Sequence, residues 1–432
     1  MENVETHLRN FRELEAGAAP ELQRLRAAAI ERFADVGFPT ERLEDWKFTD
    51  VAPLAKMPFR LARRPDAPGD FVDAARIEGA IELVFVDGHY FPELSRIPAL
   101  PGAVRVSDLE TALRDDPGRV VTHLGSIARP ESDAFTALNT AFLRQGAFVH
   151  VSKGVVLDAP IHLLFVASGG TDPVIVHPRV LIVAEESSEV SVVETYADAA
   201  AGPSCTNVVT EVAVGPNAAV THVRLQKEGA DAFHVATVAA RQARDSRFFS
   251  HSVSIGASLA RINVETLLDA PGASCTLDGL YLTDGRQHVD HHTSIDHRAP
   301  ECTSRELYKG VLDGRSSAVF NGKVFVRPQA QKSDAGQVNK NLLLSRDAVV
   351  DTKPQLEIFA DDVKCSHGAT IGRLDTDALF FLRARGIGPD QARRVLIHAF
   401  ANELVERVRH PAARAHLERA VGSRFQLDGA AT

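Results

Sequence analysis

SSEVSVVE, residues 187–194, leads from small polar residues into alternating apolar ones. The same texture returns as PNAAVTHV (216–223), DSRFFSHS (245–252) and GASCTLDG (272–279). Val190, Val220, Phe248 and Cys275 mark the four stretches at intervals of 30, 28 and 27 residues, and Cys302 lies another 27 on. Later, GRSSAVFNG (314–322) and SRDAVVDT (345–352) repeat it at Val319 and Val349, 30 residues apart. A near-constant period with no helix between the strands predicts stacked coils of a β-solenoid, in which each coil buries its apolar side against the next. The competing architecture is a β-sandwich, whose turns recur every 8–12 residues or so.

Working outward, the strand texture begins near residue 79 with ELVFVDG and continues through AFVHVSKGVVL, IHLLFVAS and RVLIVAEE to about residue 372. These are short Val/Ile/Phe runs, several with period-two alternation. Helical periodicity interrupts them only around residues 106–145. Residues 1–36 read as helix, with Leu8, Phe11, Leu14, Leu22, Leu25, Ala28, Ala29 and Phe33 at three- and four-residue spacing and Pro20 opening a second helix. TERLEDWKFTDVAPLAKMPF (40–59) reads as a short helix and turn, with Trp46 as a packing anchor. RRPDAPGD (63–70) reads as a linker. Beyond Gly372 the pattern is helical again. Thr376 is the expected N-cap, Gly386 the end of the first helix, and Pro389 and Pro411 the starts of two more. Ala392, Val395, Leu396, Ala399, Phe400, Glu403 and Leu404 are the expected inner stripe of the second. The expected domains are residues 1–78 (helical), 79–372 (β-helix core) and 373–432 (helical).

The chain has 432 residues, a formal net charge of −9 and no Lys/Arg-rich run, which disfavours nucleic acid. No signal-peptide pattern opens it, and no 18-residue apolar run occurs. Its four cysteines form no CxxC pair, so they read as reduced thiols of a cytoplasmic protein.

Two stretches carry candidate chemistry. In KCSHGATIG (364–372), Cys365 and His367 share one side of a strand because they are two residues apart. Both residue types suit zinc, iron or iron–sulfur species. Two ligands do not close a site, so the rest must come from elsewhere in the chain or from another chain. Alternatively, Cys365 simply faces the core, as Val363 on the same parity would. In RQHVDHHTSIDH (286–297), His288 and His292 share a side with Asp290, while His291 and His297 point the other way. That split argues against one metal site using all four histidines and favours hydrogen bonding between neighbouring coils. No phosphate-binding GxxxxGK[ST] or nucleophile-elbow GxSxG is present.

SRELYKGVLDGRSSAVFNGKVFV (304–326), DAGQVNKNLLLSRDAVVDTKPQLEIFADDVKCSHGATIG (334–372) and LFFLRARGI (379–387) resemble the SufB/SufD family of iron–sulfur cluster assembly scaffolds over roughly residues 140–408. RLEDWKFTD (42–50) resembles the SufD branch. The resemblance implies a right-handed parallel β-helix flanked by helical N- and C-terminal domains. It implies a non-catalytic scaffold that pairs with a SufB-like subunit through its β-helix end and binds a SufC-like ATPase through its C-terminal helices. Phe380, Phe381, Leu382 and Pro389 are the expected ATPase contacts. It further implies a nascent iron–sulfur cluster held transiently with the partner, at a site to which His367 and Cys365 contribute, and no nucleotide bound by this chain. Two other functions fit a β-helix: an exported-type carbohydrate-active enzyme and a purely structural homodimer.

Overall fold

The computed structural model describes residues 2–14 and 20–424; parts of the predicted terminal helical segments, residues 1, 15–19 and 425–432, lie outside it. From Arg179–Ala184 onward, successive strands alternate between two sheets and pair in parallel within each, making a β-solenoid of about 8 turns. One sheet runs from Gly146–Val151 to Val349–Ile358, the other from Ile81–Val86 to Lys364–Gly372. At the N-terminal side the first sheet is continued by Val104–Asp108, which pairs antiparallel to Gly146–Val151.

The repeat that suggested the solenoid is a register row. Val190 pairs with Val220, Val220 with Phe248 and Phe248 with Cys275. All four are buried in the main core. The row then continues to Ser304 and Ala335, not to Cys302. The coil between Ser274 and His288 is two residues longer than its predecessor, so a fixed step of 27 falls short. Val319 and Val349 belong to the opposite sheet and are not partners: Val319 pairs with Asp351, and Val349 with Ser317.

The interior is fitted coil against coil. Tyr308 lies over its register partner Gly279, where a Cβ would sit 2.0 Å from the ring, and Tyr281 lies over Gly310 in the same way at 2.1 Å. Polar side chains also fill the lumen. Glu194 accepts hydrogen bonds from Tyr196 at 2.5 Å and Thr210 at 2.8 Å and pairs with His222 at 3.1 Å. Buried polar groups are tolerated where such partners exist.

Helices cover the outside. Glu2–Glu13 and Pro20–Val36 precede a strap whose Trp46 is buried beside Phe135, with the Arg261 guanidinium 4.2 Å from the indole. Pro20 opens the second helix, where its missing N–H costs nothing. At the other terminus, Pro389–Val405 and Pro411–Arg424 lie along the outer face of the second sheet. The buried stripe of the first of these is Ala392, Ile397, Ala401, Leu404 and Val405. The expected stripe was turned too far: Val395 and Ala399 face solvent, because the helix meets the sheet beside Val253, Leu280 and Val311 along the row that Ile397 and Ala401 occupy. Asp375, not Thr376, caps Thr376–Ala384, its carboxylate accepting from the Asp377 amide at 2.8 Å. Gly386 follows that helix with φ +84°, a left-handed position that suits glycine.

Candidate functional site

KCSHGATIG is the last strand of the solenoid, pairing with Asp334–Leu343 on one side only. The last strand of the other sheet, Val349–Ile358, likewise has a single neighbour. The C-terminal end is therefore two adjacent sheet edges with no further coil upon them, a geometry that offers main-chain groups to a docking strand.

Which groups point outward follows from the ladder. The Lys364 amide donates to the Ser333 carbonyl at 2.9 Å. In a parallel strand the N–H and C=O of one residue face the same neighbour and alternate along the chain. Lys364, Ser366, Gly368, Thr370 and Gly372 thus bond to the preceding coil, while the main-chain groups of Cys365, His367, Ala369 and Ile371 face the free edge. Their side chains have the inward parity of the lumen.

Cys365 and His367 differ in environment despite that shared parity. Cys365 is half-buried against the end of the main core, over its register partner Ala335. Burial pushes its thiol up, opposed by a hydrogen bond from the Ala335 backbone. That favours the neutral thiol over the thiolate, the form that ligates metals. His367 is exposed although it stands in the row of Leu277, Glu306 and Gln337, all buried, because no coil follows to cover it. The fold brings both residues to one open face and supplies no third or fourth ligand: among the described residues no group of three His, Cys, Asp or Glu side chains could hold a metal ion. The donor types suit iron and sulfide chemistry, and the incomplete set suits a shared site, not a closed one.

The histidine-rich strand His288–His297 divides between the two faces as its alternation predicts. His288 and Asp290 lie on the outer face under the strap, where Thr49 bonds to both and Arg261 pairs with Asp290. His292 pairs with Asp290 at 3.1 Å. His291 stacks on Tyr281 inside the lumen, and His297 meets Ser304 at 2.9 Å. Burial lowers the His291 and His297 imidazoles to about 3 and about 4, so both are neutral at pH 7. These contacts join the strand to its neighbours and to the strap.

Helix Thr376–Ala384 has no buried residue. Phe380 and Phe381 are 73% and 55% exposed, too much apolar surface for a helix packed only along its neighbour. Leu382 is half-buried and Pro389 exposed. Phe359 and Ile371 are also exposed, at the solenoid end itself. Sequence reasoning missed both. Ile371 was findable, since it continues the inward parity of Cys365 and His367 into a coil that nothing covers.

Comparison with known proteins adds a family to this geometry. Residues 165–400 match the family described as "SUF system FeS cluster assembly, SufBD core domain", and residues 4–163 match "SufBD protein N-terminal region". The chain is 34% identical to the "Iron-sulfur cluster assembly SufBD family protein slr0076" of Synechocystis, over 92% of this chain and 90% of that protein. It is 31% identical to the iron–sulfur cluster assembly protein SufD of Escherichia coli, covering 92% and 91%. With SufD of Bacillus subtilis it shares 28% identity, covering 89% of each.

Proposed function

The chain belongs to the SufBD family of the SUF iron–sulfur cluster assembly system, and from that premise we propose that it is a non-catalytic scaffold subunit contributing half of a cluster-building site. The other half comes from a SufB-like subunit docked end to end on the last coil. The observation that carries this reading is the position of His367: inward parity, yet exposed, on an edge strand with one neighbour. A docking strand bonded to the free edge would carry the lumen of one solenoid into the next. The imidazole would then lie at the seam, shielded from bulk water and facing the partner's side chains. Iron and sulfide are cargo here; His367 supplies a ring-nitrogen donor, and Cys365, whose thiol resists ionisation, is the weaker candidate.

The exposed Phe380 and Phe381 on a helix with no buried face support docking of a SufC-like ATPase there, with Leu382 and Pro389 flanking the contact. Removing the whole C-terminal segment would uncover the apolar outer face of the second sheet, so point substitutions give the cleaner test.

The decisive experiment is His367→Ala in the co-expressed complex, with iron and sulfide measured after purification. The side chain is exposed on the last coil, so the variant still folds and assembles while its cluster yield falls at least about tenfold. A wild-type yield removes His367 from the site. For the helix, Phe380→Ser with Phe381→Ser abolishes co-purification of the ATPase; undiminished co-purification places that subunit elsewhere.

A further inference from the structure

Beneath His367 the register row continues inward as Gln337 and then Glu306. Gln337 is 1% exposed and Glu306 3%. The Gln337 amide nitrogen donates to Glu306 Oε2 at 2.6 Å. A carboxylate only accepts, so whenever Glu306 is ionised the nitrogen of the carboxamide must face it. The amide oxygen is then turned away from Glu306. That oxygen is buried and has no hydrogen-bond partner among the described residues. A buried carbonyl left unpaired is costly and calls for a donor. The side chain has little freedom to look elsewhere. It spans the lumen to Gly322 of the opposite sheet, where even a Cβ would stand 2.0 Å from its nitrogen. Only the final coil lies beyond it, and its register neighbour there is His367, one strand spacing of about 4.8 Å away. An imidazole N–H is the donor that this position offers.

We propose that Gln337 is a positioning residue for His367: held by Glu306, it presents its amide oxygen to the imidazole and fixes which ring nitrogen keeps the proton. The other ring nitrogen is thereby left bare and aimed along the free edge, ready for a metal. A carbonyl that accepts from one ring nitrogen sets the tautomer of a metal-binding histidine in this way. The inference rests on the reading of His367 as the functional group, but the hydrogen bond itself can be tested without any cluster.

The test uses the full chain labelled with 15N-histidine at pH 8.5. That lies above Glu306, whose carboxyl burial pushes up to about 7. His367 signals are identified by their loss in His367→Ala. A fixed tautomer holds the two ring-nitrogen shifts far apart, whereas exchange between tautomers draws them together. The expected result is a wider separation in the wild type than in Gln337→Met, with Glu306→Gln, which no longer dictates the amide's direction, also narrowing it. Unchanged His367 ring shifts in both variants overturn the proposal. In the assembled complex, Gln337→Met lowers cluster yield about tenfold, as the loss of a ligating histidine's hydrogen-bond partner does. A wild-type yield in His367→Ala would sink the functional reading while leaving the hydrogen bond standing.

Discussion

Proline substitutions at Ala369 and Thr370, adjacent residues on the edge strand, should have opposite consequences. Thr370 donates its N–H to the preceding coil, whereas the N–H of Ala369 faces the free edge; this follows from the Lys364–Ser333 bond and the strand's alternation. Thr370→Pro deletes a ladder bond to the Asn339 carbonyl and drives the proline ring toward it, at a cost of about 1–3 kcal/mol for the bond beyond the backbone constraint. Ala369→Pro leaves every bond within the chain in place. It costs roughly 1 kcal/mol for the constrained backbone, and Gly368 before it is already extended, as a residue preceding proline prefers. The molecule contains its own precedent. Pro354, on the other edge strand, also has its nitrogen on the free side, since the Val349 amide donates inward to Ser316 at 3.1 Å. For docking the order reverses. Ala369→Pro removes a donor in the middle of the free edge and sets a ring where a partner strand must lie. One unmade buried main-chain bond is worth about 1–3 kcal/mol, so affinity for the partner subunit falls about 5- to 150-fold. Urea unfolding of the isolated chain gives the first quantity, and calorimetric titration with the partner subunit gives the second. Undiminished pairing by a folded Ala369→Pro chain refutes edge-to-edge docking on this strand. Equal stability losses in the two variants refute the hydrogen-bond assignment.

Two further expectations concern the frame of the site. His416 on the last helix bonds Thr195 at 3.0 Å beside His162, and burial pushes these imidazoles down to about 2 and about 3. Their folded pKa values lie below the unfolded 6.5, so the stability they contribute is present above pH 6.5 and is lost as pH falls toward 3. Between pH 7.5 and 5.5 each loses about 1–2 kcal/mol. His416→Gln should flatten the pH dependence of urea stability by that amount, and an unaltered slope would contradict the burial of His416. Gly310→Ala puts a Cβ 2.1 Å from the Tyr281 ring and should cost about 3 kcal/mol. Gly368→Ala, with nothing within 4 Å, should shift the urea midpoint by less than a third as much. Similar shifts in the two would show that the lumen is not close-packed there.

The solenoid was legible because side chains in one register row meet the same environment in every coil, so Val190, Val220, Phe248 and Cys275 recur where the core demands an apolar group. Legibility failed where coil length changed, since a count of residues cannot see a longer corner. That is why Cys302, two residues before Ser304, looked like the next member of the row. The C-terminal helix stripe failed for a related reason. Val395, Leu396 and Ile397 are consecutive and all apolar, and only the sheet beneath selects Ile397 for burial. The split of the four histidines in His288–His297 was readable because alternation is a property of the strand itself. What covers each face is set by residues far away in sequence, the strap on one side and the tyrosines on the other.

On the function proposed above, the same logic explains why Cys365 and His367, and not chemically similar residues upstream, would be the ones to act. Cys275 and Cys302 are buried thiols, and burial pushes the Cys275 thiol up to about 12, far from the reactive form. His222 and His291 are ring donors of the same kind as His367, but each lies inside a finished coil with neighbours above and below. In a stacked fold a side chain of inward parity is accessible only where stacking stops. The terminal coil alone therefore combines the constrained geometry of a core position with exposure to a second molecule. A ligand set built there must be incomplete within one chain, because the coil that would complete it is the one that is missing. Gln337, one coil back, is then the nearest group that can be both fully buried and in reach of the site, and Glu306, one coil further, holds it; on the reading proposed above, the burial that makes them rigid is what allows them to orient an exposed imidazole.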